Sequence, residues 1–394
     1  MGRRRRVGGS EVAVPMRRAK RTDSSLQELI ESYNPAAPLA QAYTIPASWY
    51  VDRAVANLEA RSVFSRNWLV AGRAEQLNEP GNFVTLELAG EPVIVVRGGD
   101  GVLRGFFNVC RHHAAAVMTE CEGKAERLRC PYHGWTYSLE GELKGVPDFN
   151  GVLDFDRAAM GLTPVDVEVW EKWVFVKLDR GAPPLEEFIG RDLRERIRAH
   201  GLENYHWVER RTYAVECNWK VFVDNYLDGG YHVPHLHRGL ASVLDYSAYA
   251  IELGERYCVQ SSPMTAENAE PETGAVRAGH RAFYYWIYPN FMINCYEGTM
   301  DANFVAPRGV DRAEVIMDFY FTDNSESARK QHRASIAVGE RIQDEDAAIC
   351  RSVQRGLASR AYNAGRLSVR REAGEHLFHR LLSADLRREL DLQA

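Results

Sequence analysis

The chain has 394 residues, enough for two domains, and its 45% hydrophobic and 26% charged residues are ordinary for a globular protein. The formal net charge of −5 gives no overall basic field, which disfavours nucleic acid and anionic membrane surfaces as partners. No run approaches the roughly 18 apolar residues that a membrane span requires, and an odd count of 7 cysteines disfavours a secreted disulfide scaffold. We therefore expect a soluble protein of a reducing compartment, the cytoplasm.

Residues 1–23 form a basic segment that differs from the rest of the chain. Its arginines and lysine are not followed by the apolar run that a secretory signal needs. We predict a disordered tail, with Met16 as an alternative start. The other interpretation is an Arg-rich transit peptide, which would direct the protein to an organelle such as a plastid.

Residues 24–65 are predicted to form a helical segment that packs on the larger, C-terminal domain. The first helix, 24–36, is capped by Ser24 or Ser25, and a second helix covers 47–58.

Residues 66–178 show short apolar runs separated by turns, which predict a small all-β domain. The predicted strands are Phe83–Leu88, Glu91–Arg97, Leu103–Asn108, Arg127–Cys130, Thr136–Ser138 and Val174–Leu178.

A linker at 179–185, rich in Pro and Gly, separates this domain from a second one at 186–394. Helical patterns in the second domain occur at 187–200, 218–229 and 327–357. Strand patterns occur at 208–216, 281–288, 291–296, 300–307 and 313–322. Consecutive strands separated by turns predict an antiparallel sheet flanked by helices. The expected class is α+β, with a helix-grip-like larger domain.

Two short loops in the β-domain carry metal-binding side chains. Cys110 and His112 form a C-x-H pair, and 17 residues later Cys130 and His133 form a C-x-x-H pair. Two thiolates and two imidazoles suit zinc or an iron–sulfur cluster. Each loop supplies one Cys and one His, as needed when one iron takes both thiolates and the other both imidazoles, so the pattern favours a Rieske-type [2Fe–2S] cluster over zinc. Cys121 lies between the loops and matches neither position.

The segment 217–242 holds three histidines, His232, His235 and His237, beside Asp224 and Asp228 at the end of a predicted helix. A lone histidine is more often packed or exposed than a ligand, but three within six residues next to two acids are harder to dismiss. A mononuclear iron(II) oxygenase needs two histidines and one carboxylate, with positions left open for O₂ and substrate.

The sequence CPYHGWTY, following a CRHH loop, resembles the cluster motif of Rieske non-haem iron oxygenases, and the resemblance to their alpha subunits extends from about 40 to 390. It implies that Cys110, His112, Cys130 and His133 hold the cluster. The family's H-x4-H pattern fits His232 and His237 as iron ligands, which leaves His235 out. The carboxylate ligand implied is Asp346, with Glu345 as the alternative, and Asn225 matches a residue near the iron.

One departure from the family concerns electron transfer. Many members place an acid three residues before the first iron histidine, where it bridges to a cluster histidine of the neighbouring subunit. Here that position is Gly229, and the nearest acid is Asp228. We hypothesise that Asp228 takes over the bridging role through a local shift of the backbone.

Within the family, the segments WKVFVDNYLDGGYHVPHLHRGLAS, YPNFMINCYEG and SVQRGLASRAYNAGR most resemble its choline-oxidising members, which convert choline to betaine aldehyde hydrate. A quaternary ammonium cannot donate a hydrogen bond, so aromatic faces must hold it through cation–π attraction. Tyr284 and Trp286, on one face of a predicted strand, are the candidate substrate residues. Core packing is the alternative explanation for each ring.

The resemblance also implies O₂ as co-substrate and a ring-like homo-oligomer such as a trimer. The sequence has no G-x-G-x-x-G fingerprint, which agrees with electrons coming from an external NAD(P)H-dependent reductase or a ferredoxin.

Three alternatives stay open: an N-demethylase or hydroxylase of another quaternary amine (glycine betaine, stachydrine or carnitine), an aromatic-ring dioxygenase, and a Rieske electron carrier without substrate chemistry.

Overall fold

Residues 25–181 and 183–393 are described by the computed structural model, so the predicted basic tail lies outside the described residues. The first helix, α1 (Leu26–Glu31), begins at a capping box, in which Ser25 Oγ accepts from the N–H of Glu28 and the Glu28 carboxylate accepts from the N–H of Ser25. The second predicted helix is split into α2 (Ser48–Val51) and α3 (Arg53–Glu59), because Asp52 takes an extended conformation and caps α3.

The N-terminal β-domain contains ten strands. They are β1 (Leu69–Arg73), β2 (Asn82–Leu88), β3 (Glu91–Arg97), β4 (Leu103–Phe107), β5 (Glu122–Lys124), β6 (Leu128–Arg129), β7 (Thr136–Tyr137), β8 (Leu143–Gly145), β9 (Pro164–Trp170) and β10 (Trp173–Lys177). A 7-stranded sheet has the order β1-β10-β9-β4-β3-β2-β5, and β6-β7-β8 form a 3-stranded sheet. One cysteine loop follows β4 and the other joins β6 to β7.

The C-terminal part mixes helices with a second 7-stranded sheet, of order β11-β17-β16-β15-β14-β13-β12, in which all neighbours are antiparallel. Its elements are α4 (Leu185–Ile189), α5 (Arg191–Arg198), β11 (His206–Val215), α6 (Trp219–Leu227), α7 (Val233–Leu236), α8 (Arg238–Ala241), β12 (Ala250–Leu253), β13 (Tyr257–Pro263), α9 (Pro271–Gly274), β14 (Arg281–Ile287), β15 (Phe291–Tyr296), β16 (Thr299–Pro307), β17 (Ala313–Phe321), α10 (Arg329–Leu357) and α11 (Ala373–Gln393). The predicted α+β class is confirmed.

The second sheet buries both faces, and side chains alternate between them along each strand. Trp286 and Met292 pack in the core shared with α6 and α11, whereas Tyr285 and Ile293 pack in the core shared with α4, α5 and β10. Helix α6 is fixed by a buried ion pair, since Lys220 Nζ lies 2.6 Å from Glu59 Oε1 of α3. Within the described ranges, no helix is both long and apolar enough to cross a membrane.

Candidate metal centres and substrate cavity

The two cysteine loops share one backbone conformation. In each loop the cysteine N–H donates to the carbonyl five residues later at 2.8 Å, and the cysteine carbonyl accepts from the N–H four residues later at 3.0 or 3.1 Å. That fourth residue has a positive φ in both loops, 58° at Ala114 and 72° at Gly134. Two matching tight turns therefore present Cys110 and Cys130 to each other.

The loops bring the four predicted cluster residues together. Cys110 and Cys130 are buried, and the ring centroids of His112 and His133 lie 4.7 Å apart at the outer side, where His133 is exposed. Burial raises the pKa of the Cys130 thiol, and the adjacent Cys110 thiol raises it further. His112 stacks on Trp135, with centroids 4.6 Å apart, and its Nδ1 is buried without a partner among the described residues.

Two thiols, two imidazoles and an unpartnered buried ring nitrogen fit a Rieske-type cluster. Cys121 is exposed and directly precedes β5.

The predicted iron ligands meet between α7 and α10. His232 and His237 flank α7, and Nε2 of His237 lies 3.0 Å from Oδ1 of Asp346, while Nε2 of His232 lies 3.8 Å from the same atom. Each of the three residues offers a ligand atom within 4.8 Å of the other two. His235 is exposed and does not join them.

The other ring nitrogen of each histidine is held by a carboxylate. Asp228 Oδ2 lies 2.6 Å from Nδ1 of His232, and Glu345 Oε2 lies 2.6 Å from Nδ1 of His237. Asn225 Nδ2 donates to Asp346 Oδ1 at 2.7 Å. Carboxylates behind metal-bound imidazoles fix the ring orientation and the tautomer. The arrangement fits a divalent iron on the two Nε2 atoms and Asp346, with Glu345 acting behind a histidine.

The electrostatics of His237 reflect these contacts. Burial lowers the pKa of His237, but the hydrogen bonds to Asp346 and Glu345 outweigh burial and leave the pKa raised.

Gly229 and Gly230 are required by the turn that leads from α6 to His232. Both have left-handed backbones, with φ of 69° and 66°. A Cβ on Gly229 would lie 2.0 Å from the carbonyl oxygen of Arg371, and one on Gly230 would lie 2.9 Å from the ring of Tyr249. An acidic side chain therefore cannot occupy position 229 in this turn.

A cavity of about 110 Å³ lies beside the candidate iron ligands. Its floor is a row of side chains that runs across four paired strands: Gln260, Tyr284, Asn294 and Asp301. One wall is a face of α10 spaced at i, i+3, i+4 and i+7: Gly339, Ile342, Gln343 and Asp346. The cavity therefore extends from a polar and aromatic floor on the sheet to Asp346 on α10.

Tyrosine rings form much of the cavity wall, and their hydroxyls are already bonded. Tyr226 donates to Asn294 at 2.7 Å, Tyr249 donates to Gln260 at 3.1 Å, and Tyr296 donates to Tyr284 at 3.2 Å. Burial, the main cause, raises the pKa of the hydroxyls of Tyr226, Tyr249 and Tyr284 well above 10. The hydroxyls therefore stay neutral.

Of the two predicted substrate residues, the structure brings only Tyr284 to the cavity. Trp286 is fully buried, its ring centroid lies 5.6 Å from that of Phe378 of α11, and its indole N–H donates to the carbonyl of Pro289. The two side chains share a face of β14, but α11 covers that face at Trp286.

Tyr226, Tyr249 and Arg277 also line the cavity and were not among the predicted site residues. Tyr226 could have been found, since Phe222, Asn225 and Tyr226 have the i, i+3, i+4 spacing of one helix face. Arg277 lies beyond α9, and no sequence pattern marks it.

Two known protein families match this chain, one in each of its two parts. Residues 67–156 match the model of the Rieske [2Fe-2S] domain, and residues 202–387 match the ring hydroxylating alpha subunit (catalytic domain). The second match argues against an electron carrier without a catalytic domain.

Three relatives are similar over most of the chain. Chloroplastic choline monooxygenase of Arabidopsis thaliana is 36% identical, over 92% of this chain and 88% of its own length. The carnitine monooxygenase oxygenase subunit of Escherichia coli K12 is 30% identical, over 87% of this chain and 94% of its own length. A solved structure of a quaternary ammonium Rieske monooxygenase, described in terms of carnitine oxidation and inter-subunit electron transfer, aligns with a TM-score of 0.79 at 26% identity, over 90% of this chain and 98% of that one.

Both cofactors follow from the two matched domains: a Rieske [2Fe–2S] cluster and a mononuclear iron. The chain belongs to the Rieske non-haem iron oxygenases, as a monooxygenase of the quaternary ammonium type.

Proposed function

We propose that this enzyme oxidises choline to betaine aldehyde hydrate, with O₂ and with electrons from a separate NAD(P)H-dependent reductase or ferredoxin. The observation that carries the proposal is a tyrosine-walled cavity that reaches Asp346. The similarity to choline monooxygenase of Arabidopsis thaliana favours choline among quaternary amines.

The trimethylammonium group is held by aromatic faces, with Tyr284 as the residue predicted from the sequence and Tyr226 and Tyr249 as additions. Each cation–π contact contributes about 0.5–2 kcal/mol, more when the cation is desolvated. Because the hydroxyls are bonded elsewhere, the rings are fixed in orientation and need no reorganisation when the cation binds.

His232, His237 and Asp346 are the proposed ligands of the mononuclear iron. Two histidines and one carboxylate would leave positions open on a bound iron, and the iron would supply O₂ activation beside the substrate. Asp228 and Glu345 hold the imidazoles with Nε2 directed toward Asp346, and Asn225 fixes the Asp346 carboxylate. O₂, two electrons, two protons and one C–H bond give one C–OH group and one water.

Asp228 would link the iron site to the cluster of a neighbouring subunit, which would supply the electrons. Its carboxylate contacts His232 and is 17% exposed, so a second histidine from outside can approach it. His133 is exposed at the surface of its own cluster loop. The proposal implies a ring-like homo-oligomer, a trimer by analogy with the family, and inter-subunit electron transfer as described for a structural relative.

Two further proposals concern organisation. We keep the division into a helical segment at 24–65, a Rieske domain at 66–178 and a catalytic domain at 186–394. We place the protein in the cytoplasm, with a plastid as the alternative because the plant relatives are chloroplastic.

The function is tested by O₂ consumption with a generic reductase and a panel of choline, glycine betaine, stachydrine and carnitine. We expect choline to give the highest kcat/KM and no formaldehyde. Formaldehyde release would instead indicate N-demethylation, and no stimulation of O₂ uptake by any of these amines would contradict the proposal. The control is the His232→Ala/His237→Ala double variant, which should lose the mononuclear iron and keep the two cluster irons.

A second candidate is oxidation of a quaternary amine that bears a carboxylate. It is favoured by a buried guanidinium, that of Arg277, in the cavity wall. The same substrate panel separates the two candidates.

A further inference from the structure

Arg277 is a buried cation in the cavity wall whose hydrogen bonds leave its Nε without an acceptor. Only 3% of the residue is exposed. Its Nη1 donates to Ser335 Oγ at 2.5 Å and to the Val276 carbonyl at 3.4 Å, and its Nη2 donates to the Ser335 carbonyl at 3.3 Å. Its Nε has no hydrogen-bond partner among the described residues. A buried donor without an acceptor is costly, so this N–H is a ready site for an acceptor that arrives with the substrate.

Gln343 supplies a second unused donor to the same cavity. It is 4% exposed, and its Nε2 also lacks a partner in the described part of the chain. It lies on the face of α10 that carries Asp346, one turn before that carboxylate. The two buried N–H groups come from different elements, so they do not belong to one local turn or cap.

The charges around Arg277 do not neutralise it at contact distance. None of the described carboxylates forms an ion pair with Arg277, although the buried Asp301 lies within its electrostatic reach. Burial raises the pKa of Asp301 and Arg277 lowers it. Asp301 Oδ2 instead accepts from Asn294 at 2.7 Å and from Asn303 at 3.2 Å. The Nε–H of the guanidinium therefore remains without an acceptor among the described residues.

Arg277 adjoins the aromatic part of the cavity. Its guanidinium carbon lies 4.8 Å from the ring centroid of Tyr296, and that centroid lies 6.0 Å from the one of Tyr284. This neighbourhood suits a substrate whose ammonium group and oxygen atom are joined by a short chain.

We propose that Arg277 and Gln343 bind the oxygen-bearing end of the substrate, the hydroxyl of choline or the carboxylate of a betaine. The inference rests on the proposed function, and it names the chemistry that the substrate needs besides its ammonium group. A guanidinium N–H and an amide N–H both donate, so the bound group must accept. Arg277 and Gln343 thereby determine specificity, while the tyrosines recognise the cation.

The test compares ligands with and without the oxygen atom. Anaerobic calorimetry of the holoenzyme measures the Kd of choline, glycine betaine and carnitine, and of ethyltrimethylammonium, which is choline without its hydroxyl. We expect Arg277→Gln to weaken binding of the preferred oxygen-bearing ligand by roughly 10-fold or more, since hydrogen bonds to a charged group are the stronger ones. Binding of ethyltrimethylammonium should change less than 2-fold (roughly) because it offers no acceptor.

Two further variants separate recognition from folding. Gln343→Met keeps the side-chain length, removes the N–H, and should give a smaller loss of the same selectivity. Arg277→Lys keeps the charge and should restore part of the affinity. Arg333→Gln removes a charge at an exposed position of α10 and should leave every Kd unchanged.

The outcomes are distinct. A selective loss for choline identifies the bound group as a hydroxyl, and a selective loss for a betaine identifies it as a carboxylate. An equal loss for ethyltrimethylammonium, or no loss at all, overturns the assignment of Arg277 and Gln343 while leaving the proposed function intact. If none of the four compounds binds the unmodified enzyme, the proposed function fails, and this inference fails with it.

Discussion

Oδ2 of Asp228 lies 2.6 Å from Nδ1 of His232 and also accepts from the N–H of His232 at 3.0 Å. One carboxylate oxygen thus holds both the backbone and the ring of a candidate iron ligand. The position one residue later, where many family members carry the acid, is closed by the carbonyl of Arg371. Asp228 is therefore the acid of this turn, and its carboxylate is the one that accepts hydrogen bonds from His232.

Replacing Asp228 by Asn should slow electron delivery to the iron site. Asn keeps the shape but loses the charge that orients His232, and changes behind a metal ligand typically cost about 10- to 100-fold in activity or metal affinity. Stopped-flow absorbance of the reduced cluster gives the rate of its reoxidation in the presence of substrate and O₂. Asp311→Asn, at an exposed turn, is the control. An unchanged rate, with cluster and iron at full occupancy, would remove Asp228 from the electron path.

Gly229→Ala should destabilise the protein. The new Cβ would meet the Arg371 carbonyl at 2.0 Å on a backbone with φ of 69°. We expect a loss of about 1–3 kcal/mol or more in the free energy of unfolding. Gly356→Ala is the matched control, because it lies on an exposed part of α10 with no atom within 4 Å of its Cβ. That variant should gain about 0.5–1 kcal/mol. Equal effects of the two variants in denaturant unfolding would contradict this account of the turn.

Tyr284→Leu should weaken choline binding by about 0.5–2 kcal/mol, because one aromatic face of the cavity is lost. Trp286→Leu is the matched variant, two residues along the same strand. It should cost about 3 kcal/mol of stability through the cavity it leaves and should not change the Kd of choline, since the ring packs against Phe378. Calorimetric titration and thermal unfolding separate these effects. A reversed pattern, with affinity lost in Trp286→Leu, would place the cation site elsewhere.

Glu375 of α11 should make stability depend on pH. Burial, and next the nearby Asp224, raise the pKa of Glu375 well above 4.5. A carboxyl whose pKa is raised in the folded state gives its full stabilisation of the fold below the unfolded-state pKa of 4.5. This stabilisation is lost as the pH rises toward the folded-state pKa. Glu375→Gln stays neutral and avoids this loss. The Tm of Glu375→Gln minus that of the unmodified protein should therefore increase from pH 4.5 to pH 8. A difference that stays constant over this range would show that Glu375 is ionised in the folded protein.

Much of the fold was predictable because many of its strands are short apolar runs bounded by turns. The predicted Glu91–Arg97 and Phe291–Tyr296 agree with β3 and β15 residue for residue. Strand β1, Leu69–Arg73, was missed because Ala71 and Gly72 at its centre are residue types depleted in strands. Helix α11 was also not predicted, although it covers Trp286 and carries Glu375.

The candidate metal residues could be proposed from sequence because each set lies in short, spaced motifs. Asp346 is distant from His232 and His237 in the chain, and only the resemblance to the family linked them. The residues that line the cavity were harder to predict from the sequence. Tyr249 and Arg277 lie outside any motif, and their approach to Tyr284 depends on how the loops around α9 and β12 pack on the sheet.

The central claim is tested most directly by the stoichiometry of choline turnover with a reductase, NADH and O₂. The aldehyde is trapped as a hydrazone and quantified by mass spectrometry. The account predicts betaine aldehyde, formed with one O₂ and one NADH consumed for each aldehyde. A preparation with full cluster and mononuclear iron that consumes O₂ without forming the aldehyde, or that releases formaldehyde in its place, would contradict it.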